Sequence, residues 1–448
     1  MSFIRVRFPP SPTGLCHVGT ARMAMVNYLF ARRRGGTIIF RSEDTDKERS
    51  RKEYEDDIVE QLHWLGLDWD EFARTSERVA RHKEAMTQLV ADNKAYVSKE
   101  ESTKEPGTFV EVVRLRNPGR SITFSDEIRG DITFDTTELG DFVIGRRIDD
   151  PLYHLAVVVD DSDMAITHVI RGEEHISNTP RQILIQEACG FPRPIYAHYP
   201  LLLGTDRSKL SKRTGDVAVK QYRDAGYLPE ALLNYIGVLG WTPPSGKEIL
   251  SLEEMVAEFD IKDLHKSGAI FDIEKLRWYN RHYLLAKSDD QFNSVALRHI
   301  TAALTKRGTS GASGIAERLI PLVKERISVW SDIAPLIDAE LTFFFERPKL
   351  VDSEIPEKKS SASDAKRHLI NVRELLHNSS EESFADVERL KGIVWDYATA
   401  EGRGAVLWPL RFALSGLKHS PDPFAIASIL GKEETIARID SAIQILTV

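Results

Sequence analysis

The chain has 448 residues, of which 42% are hydrophobic and 29% are charged. This balance is typical of a folded protein with a large buried core, and the length suffices for roughly three domains. The formal net charge is -8, from 60 Lys and Arg against 68 Asp and Glu. A mildly acidic total neither supports nor excludes a nucleic-acid partner, because local patches decide that.

Cys16 and Cys189 are the only cysteines in the sequence. Two thiols cannot build a disulfide framework or a cysteine-based zinc site, so we expect no zinc. So few cysteines in a long chain are typical of a reducing compartment. No apolar run approaches the roughly 18 residues that span a membrane, and the N-terminus lacks a secretory pattern. The sequence therefore predicts a cytoplasmic protein with no membrane partner.

The beginning of the chain predicts one βαβ unit of a parallel sheet. Residues 3–8 alternate apolar and basic side chains as a strand does, residues 17–34 have helical spacing, and residues 37–41 are again strand-like. Ligands on such sheets lie beyond the carboxyl ends of the strands. The turn at 9–16 and the acidic segment at 42–46 are expected at that edge.

The rest of the chain predicts an interrupted sheet followed by helices. Irregular sequence from 76 to 151 predicts an inserted segment, and residues 353–363 predict a loop. Further strands are expected at 109–115, 155–159, 164–170 and 199–203. Further helices are expected at 47–65, 296–304, 317–327 and 365–376.

The turn before the first predicted helix has the composition of a phosphate site. Gly19 lies at the helix start, where unpaired backbone N–H groups and the helix dipole favour a phosphate. Gly14 lets the backbone approach a ligand closely, and Ser11 and Thr13 add hydroxyl donors. His17 can donate to a phosphate oxygen, although a lone histidine there is more often a cap. The turn matches neither the P-loop nor the dinucleotide pattern.

A basic cluster, Lys209-Leu210-Ser211-Lys212-Arg213, follows the last predicted strand of the sheet. Basic pentapeptides are common on solvated loops, but this one emerges near the edge where ligands bind. A loop with two ammonium groups can close over a triphosphate and offset charge that develops on pyrophosphate. Together the two clusters predict a site that binds and cleaves ATP.

These motifs resemble those of class I aminoacyl-tRNA synthetases of the glutamyl type. Residues 11–20 are similar to the family's HIGH motif, and residues 209–213 are similar to its KMSKS loop. The resemblance is close from residue 5 to about residue 283 and looser to the C-terminus. Further segments that match the family are 41–46, 157–182, 227–235, 271–276 and 407–433.

The resemblance implies an α/β fold, with a Rossmann-like parallel-sheet catalytic domain. An α+β acceptor-binding domain is inserted in it, and a mostly α-helical anticodon-binding region follows. The implied domains are the first catalytic half at 1–75, the inserted acceptor-stem-binding domain at 76–153, the second catalytic half at 154–206, the KMSKS loop and stem-contact domain at 207–290, and the anticodon-binding domain at 291–448.

The resemblance also implies the reaction, an ATP-dependent ligation of L-glutamate to the 3′ end of tRNA-Glu. Glutamate attacks the α-phosphate of ATP held with Mg2+, giving glutamyl-adenylate and pyrophosphate. The terminal 2′ hydroxyl of the tRNA then takes the glutamyl group. Because both nucleophiles come from substrates, the protein aligns them and stabilises charge. The implied enzyme is a monomer, and whether it also charges tRNA-Gln stays open.

Residue roles follow from the same resemblance. Arg7, Tyr153 and Arg171 are expected to bind the side-chain carboxylate of glutamate, and Ser11 and Glu43 its ammonium group. Guanidinium groups pair with carboxylates bidentately, which favours glutamate over glutamine. The expected catalytic residues are His17, Gly19, Lys209 and Lys212. The expected ATP contacts are Pro10, Thr13, Gly14, His17, Gly19, Thr20, Leu202, Lys209, Ser211 and Lys212.

Two departures from the family pattern stand out, and three alternatives stay open. The inserted segment is short near 98–107, where some members carry a zinc site, and residues 149–153 differ from the usual approach to the pocket tyrosine. One alternative is a tRNA-binding paralogue without catalysis. Another is a nucleotidyltransferase that acts on small molecules. The third is a glutaminyl enzyme, whose C-terminal part would be built of β-barrels rather than helices.

Overall fold

The computed structural model describes residues 3–102, 105–208, 210, 218–309, 313–358 and 360–446. The chain forms two compact units, Met1–Tyr283 and Leu284–Val448. Within the described ranges, no helix combines the length and apolar character needed to cross a membrane.

The first unit mixes strands and helices. Its strands are β1 (Arg5–Phe8), β2 (Thr37–Ser42), β3 (Glu71–Arg74), β4 (Ala95–Glu101), β5 (Phe109–Leu115), β6 (Ser121–Asp126), β7 (Gly130–Asp135), β8 (Phe142–Arg147), β9 (Asp150–Pro151), β10 (His168–Gly172), β11 (Ile195–Tyr199), β12 (Leu202–Leu203) and β13 (Ala269–Ile270). Its helices are α1 (Val18–Arg33), α2 (Lys52–Trp64), α3 (Val79–Ala91), α4 (Tyr153–Asp163), α5 (Thr179–Cys189), α6 (Val219–Asp224), α7 (Pro229–Val238), α8 (Leu252–Glu258) and α9 (Ile273–Leu285), which ends just past the boundary.

A parallel sheet forms the centre of the first unit, as expected. Strands β1, β2 and β3 pair in parallel, and so do β10 and β11. The two groups meet where the Thr167 N–H donates to the Arg5 carbonyl over 3.0 Å. The spatial order is therefore β3-β2-β1-β10-β11. The order reverses between β1 and β10, and this switch point is where such sheets bind ligands.

The segment between the two halves of the sheet is not separate from it. Strands β4, β5, β8 and β9 form an antiparallel sheet of their own, but β6 pairs in parallel with β11, and β7 pairs with β6. One apolar core includes Ile39 of β2, Met86 of α3, Val113 of β5 and Val158 of α4. The domain boundaries expected at residues 75 and 153 stay predictions.

The strand predicted at 155–159 is wrong, because these residues belong to α4. A short apolar run reads alike in a buried strand and a buried helix, and three consecutive valines favour the strand reading. Helix α4 packs against α3, α5 and β8, so most of its sides are buried. Tertiary packing has overridden local preference here.

Several other boundaries move. The strand predicted at 164–170 begins only at His168, after a turn at Ala165 with a φ of 51°. The strand predicted at 199–203 is two strands, β11 and β12. Helix α2 begins at Lys52, not at residue 47.

The second unit consists of helices among the residues described. They are α10 (Asp289–Lys306), α11 (Ser313–Arg318), α12 (Ile320–Arg326), α13 (Ile333–Glu340), α14 (Ala362–His377), α15 (Val387–Glu401), α16 (Arg403–Ser415), α17 (Pro423–Leu430) and α18 (Lys432–Ile445). The helix predicted at 317–327 is broken at Leu319, before Pro321. The loop predicted at 353–363 ends early, because the Ser361 side chain caps α14 by accepting from the Asp364 N–H.

Candidate active site

A cavity of about 420 Å³ opens at the switch point between β1 and β10. The turn before α1 forms one side of it, and the ends of β10 and β11 form another. The predicted site residues that line it are Arg7, Pro10, Ser11, Thr13, His17, Gly19, Thr20, Glu43, Tyr153, Arg171 and Leu202. Gly14 is not among the lining residues. Lys209, Ser211 and Lys212 lie outside the described residues.

The N-terminus of α1 faces this cavity. His17 is the N-cap, with extended backbone, and Gly19 is in the first turn of the helix. A side chain at Gly19 would meet the imidazole at once, since a Cβ there would lie 3.3 Å from His17 Nδ1. Gly19 therefore lets the ring and the helix N-terminus approach one ligand together.

One described residue of the basic cluster lines the cavity, and the first described residue after the cluster contacts His17. Leu210 lines it, and its N–H donates to the Leu202 carbonyl over 3.0 Å. Ala218 forms an isolated β-bridge with His17, and the Val219 N–H donates to the Cys16 carbonyl over 2.8 Å. The chain thus leaves the cavity beside β12 and returns to it beside the start of α1.

One wall of the cavity, which we call the balanced wall, is a buried group of two arginines and two carboxylates. Arg7 Nε donates to Asp161 Oδ1 over 3.1 Å. Arg41 Nη1 donates to the same oxygen over 2.7 Å, and its Nη2 donates to Glu43 Oε1 over 3.1 Å. All four side chains are buried, with Arg7 only 1% exposed. Four elements, β1, β2, α4 and the turn after β2, are thereby tied together.

Two opposing effects set the pKa values of the carboxyl groups in the balanced wall: burial raises them, and the neighbouring guanidinium groups lower them. Burial alone would raise the pKa of the Asp161 carboxyl, but the guanidinium groups of Arg7 and Arg41 hold it below its usual value. Burial does raise the pKa of the Glu43 carboxyl, despite Arg41 and Arg7 nearby. An additional cation beside Glu43 would therefore be stabilising.

A second wall, which we call the cationic wall, holds Arg171 without a carboxylate. Arg171 Nε donates to His198 Nε2 over 3.0 Å, and Nη2 donates to Thr179 Oγ1 over 2.8 Å. His198 Nδ1 in turn lies 2.6 Å from Asp126 Oδ2. Arg171 is 4% exposed, and burial lowers the pKa of its guanidinium.

Arg7 and Arg171 each keep a buried donor with no partner among the described residues. In both side chains the atom is Nη1. Buried N–H groups are nearly always hydrogen-bonded in folded proteins, so unpaired donors on two arginines that line one cavity favour an acceptor ligand. A carboxylate, with two oxygens and a negative charge, fits two guanidinium groups.

The remaining predicted contacts surround the same space. Tyr153 begins α4, with its ring centroid 6.3 Å from that of His175. Burial raises the pKa of its phenol, so the hydroxyl stays a neutral donor. Ser11 is exposed in the turn before α1. Among described residues, no three His, Cys, Asp or Glu side chains are grouped as metal ligands.

The sequence-based reasoning missed the residues that support the arginines. These are Arg41, Asp126, Asp161 and His198, which pair over long sequence separations. It also missed Arg22, which lines the cavity, donates to the Pro200 carbonyl over 2.5 Å and lies over the ring of Tyr199. One signal was available: adjacent acidic residues directly after a buried apolar run, as at Asp161, are rarely left unpaired.

Two family models of known proteins match two successive parts of the chain. Residues 3–108 and 98–278 match the family model of class I tRNA synthetases (E and Q), catalytic domain. Residues 280–443 match that of the anticodon binding domain.

Relatives match over nearly the whole chain. The glutamate–tRNA ligase of Nitrosospira multiformis is 39% identical, with 98% of this chain and 99% of the relative covered. The glutamate–tRNA ligase of Heliobacterium modesticaldum is 38% identical, with 99% and 98% covered. The crystal structure of a glutamate tRNA ligase from Elizabethkingia meningosepticum, in complex with its amino acid, superposes with a TM-score of 0.85 at 32% identity, covering 99% of this chain and 100% of that one.

Proposed function

Since this chain belongs to the glutamate–tRNA ligase family of ATP-using class I aminoacyl-tRNA synthetases, we propose that it joins L-glutamate to the 3′ end of tRNA-Glu through a glutamyl-adenylate. The observation that carries the proposal is the pair of unpartnered Nη1 donors on Arg7 and Arg171. The two arginines line one cavity from two strands, as recognition of a carboxylate side chain requires.

The amino acid binds with its side-chain carboxylate between the two arginines and its ammonium group toward Glu43 and Ser11. Tyr153 donates to the carboxylate from the start of α4. Glutamine in the same place presents an amide, which offers one acceptor oxygen and no charge to two guanidinium groups. The Nη1 donor that the amide leaves unpaired discriminates against it.

ATP binds at the N-terminus of α1, with His17 and Gly19 at its phosphates. Pro10, Thr13, Thr20 and Leu202 border the nucleotide, and Gly14 keeps the turn open. Lys209 and Lys212, with Ser211, close on the phosphates as pyrophosphate leaves. The cavity-lining positions of Leu210 and the bridge from Ala218 to His17 support this, because they anchor both ends of that loop. Mg2+ arrives with ATP, and no zinc is required.

The tRNA contacts are divided along the chain. Residues 76–153 bind the acceptor stem, residues 207–290 contact the stem below it, and residues 291–448 bind the anticodon. The match of residues 280–443 to an anticodon binding domain supports the last assignment. We place the enzyme in the cytoplasm and expect it to act as a monomer.

A pyrophosphate-exchange assay with tRNA-Glu present tests the proposal. Exchange should require glutamate, glutamine should not replace it, and the enzyme should charge tRNA-Glu. Lys212→Ala should slow adenylate formation, while leaving the affinity for glutamate unchanged. A paralogue that only binds tRNA would show no exchange, and a small-molecule nucleotidyltransferase would exchange without charging any tRNA. Parallel charging of tRNA-Gln shows whether the enzyme accepts it.

A further inference from the structure

Arg171 of the cationic wall is the last of three buried side chains that contact one another in the order Asp126, His198, Arg171. Asp126 closes β6, which pairs with β11, the strand that carries His198. Asp126 Oδ1 accepts the N–H groups of Ile128 and Arg129, each over 3.0 Å. Its other oxygen, Oδ2, lies 2.6 Å from His198 Nδ1.

These contacts determine which nitrogen of His198 carries the proton. The two backbone donors and the ring hold the pKa of the Asp126 carboxyl below its usual value even though burial opposes this, so it is an ionised acceptor. An ionised carboxylate can only accept, so His198 Nδ1 must be the donor. The lone pair of the neutral ring is then on Nε2. That nitrogen is 3.0 Å from Arg171 Nε, which can only donate.

The same contacts fix the Arg171 guanidinium as a plane. Nε is held by His198, and Nη2 is held by Thr179. Two anchored nitrogens leave the third, Nη1, with one direction, and that nitrogen has no partner among the described residues. A rotation of the plane would break both anchors.

We infer that Asp126 and His198 are positioning residues that hold Arg171 in place for the substrate carboxylate. This inference rests on the proposed role of Arg171 in binding glutamate. Asp126 sets the tautomer of His198, and His198 in that tautomer accepts from Arg171. Because β6 lies in the inserted segment, that segment also supports the amino-acid pocket through Asp126, which does not line it.

Protonation of His198 should release Arg171. The charged groups that face the ring are Asp126 on β6, Arg129 in the turn after it and Arg171 on β10, and the Tyr196 ring lies parallel at 6.1 Å. Burial lowers the pKa of His198, the two arginines add to that, and Asp126 opposes it. The neutral acceptor is therefore present at neutral pH and lost in acid. A protonated ring would turn a donor toward Arg171 Nε.

The test compares the KM for glutamate in tRNA-dependent pyrophosphate exchange across matched variants. In Asp126→Asn the amide nitrogen would donate to His198 Nδ1, moving the ring proton to Nε2 against Arg171. We expect the KM for glutamate to rise about tenfold, with the KM for ATP unchanged. Asp135→Asn is the control, since Asp135 also accepts a backbone N–H, over 2.9 Å from Thr137 in the same hairpin, but lies outside the chain of contacts.

A second variant, His198→Gln, tests the tautomer. Its amide oxygen can accept from Arg171 and cannot be protonated. The KM for glutamate should stay near the wild-type value at about pH 7.5. It should remain flat as the pH falls below the ordinary imidazole value of 6.5, whereas the wild-type KM should rise once His198 is protonated.

Four outcomes separate the explanations. An unchanged KM for glutamate in Asp126→Asn, or an equal rise for glutamate and ATP, overturns the positioning role. The positioning role is also overturned if the KM for glutamate depends on pH in the same way in His198→Gln and in the wild type. If Asp126→Asn does not fold, this comparison is sufficient by itself. If Arg171→Ala leaves the KM for glutamate unchanged, the proposed binding mode is wrong instead.

Discussion

The two walls of the cavity hold buried arginines in opposite ways. On the balanced wall, Arg7 and Arg41 share the carboxylate of Asp161 at 3.1 and 2.7 Å. On the cationic wall, the contacts of Arg171 are a ring nitrogen, a hydroxyl and a backbone carbonyl, and no carboxylate lies in ion-pair distance among the described residues. Charge on the first wall is balanced by carboxylates of the protein, and the hydrogen-bond partners of Arg171 on the second wall are neutral.

The difference indicates which wall would gain more from binding an anion. A buried ion pair is weak evidence for binding power, because its partners already satisfy each other. A buried cation held by neutral groups is unfavourable until an anion arrives, as the lowered pKa of Arg171 indicates. Burial of Arg171 therefore lowers the stability of the protein, and the proposed binding of a carboxylate there would restore it.

Arg171→Ala should have the largest effect on substrate binding. Removing the cation that no protein carboxylate balances should raise the KM for glutamate by more than about a hundredfold, corresponding to about 3 kcal/mol. The melting temperature without substrate should stay close to that of the wild type, because an unbalanced buried charge is lost. Exchange kinetics and thermal unfolding of the same preparation measure both. A large fall in melting temperature would show that Arg171 supports the fold.

Arg7→Ala should affect glutamate binding less than Arg171→Ala does, and it should affect stability more. Its loss removes one donor to the carboxylate, which should raise the KM for glutamate about tenfold. It also leaves Asp161 with Arg41 alone, which should lower the stability by about 1–3 kcal/mol. Thermal unfolding without substrate tests this, and an unchanged melting temperature would contradict the distinction between the walls.

Acid should destabilise the two walls at different pH values. His198 has its pKa lowered by burial, so its folded form resists protonation and stability falls as the pH drops below the ordinary value of 6.5. Asp161 has its pKa lowered by Arg7 and Arg41 despite burial, so its contribution is lost only below the ordinary value of 3.8. Thermal unfolding over a pH series should show both stages. In His198→Gln the stage nearer neutral pH should shrink.

Gly19→Ala should have the smallest effect and should spare both walls. A methyl group 3.3 Å from His17 Nδ1 would displace the ring by a few tenths of an ångström. The rate of exchange should fall about two- to tenfold, because small misplacements near reacting groups slow catalysis. The KM for glutamate should not change, since neither Arg7 nor Arg171 is touched. A rise in that KM would mean that the two sites are coupled.

The elements that could be predicted from sequence are those with local signals. Helix α1 runs from Val18 to Arg33 where residues 17–34 were expected, because apolar spacing and the preceding turn mark it. The cavity gathers most of the expected site residues because strand ends and turns converge at one edge of a parallel sheet.

What could not be predicted depends on contacts between distant segments. Arg41 meets Asp161 across 120 positions, and His198 meets Asp126 across 72. No local pattern encodes such pairings. The strand expected at 155–159 failed for the same reason, since only its burial by α3, α5 and β8 makes a valine-rich run helical. The supporting residues therefore needed the structure, while most of the residues expected to gather at one cavity could be named from the sequence.

The junction of β1 with β10 also shapes how this chain must fold. Arg5 and Thr167, whose backbones join there, are 162 positions apart. During synthesis β1 therefore remains an open strand edge until residue 167 has emerged, and such edges invite pairing with other chains. Closing so long a loop is entropically unfavourable and slow. The cavity, which needs strands from both sides of that junction, cannot form until then.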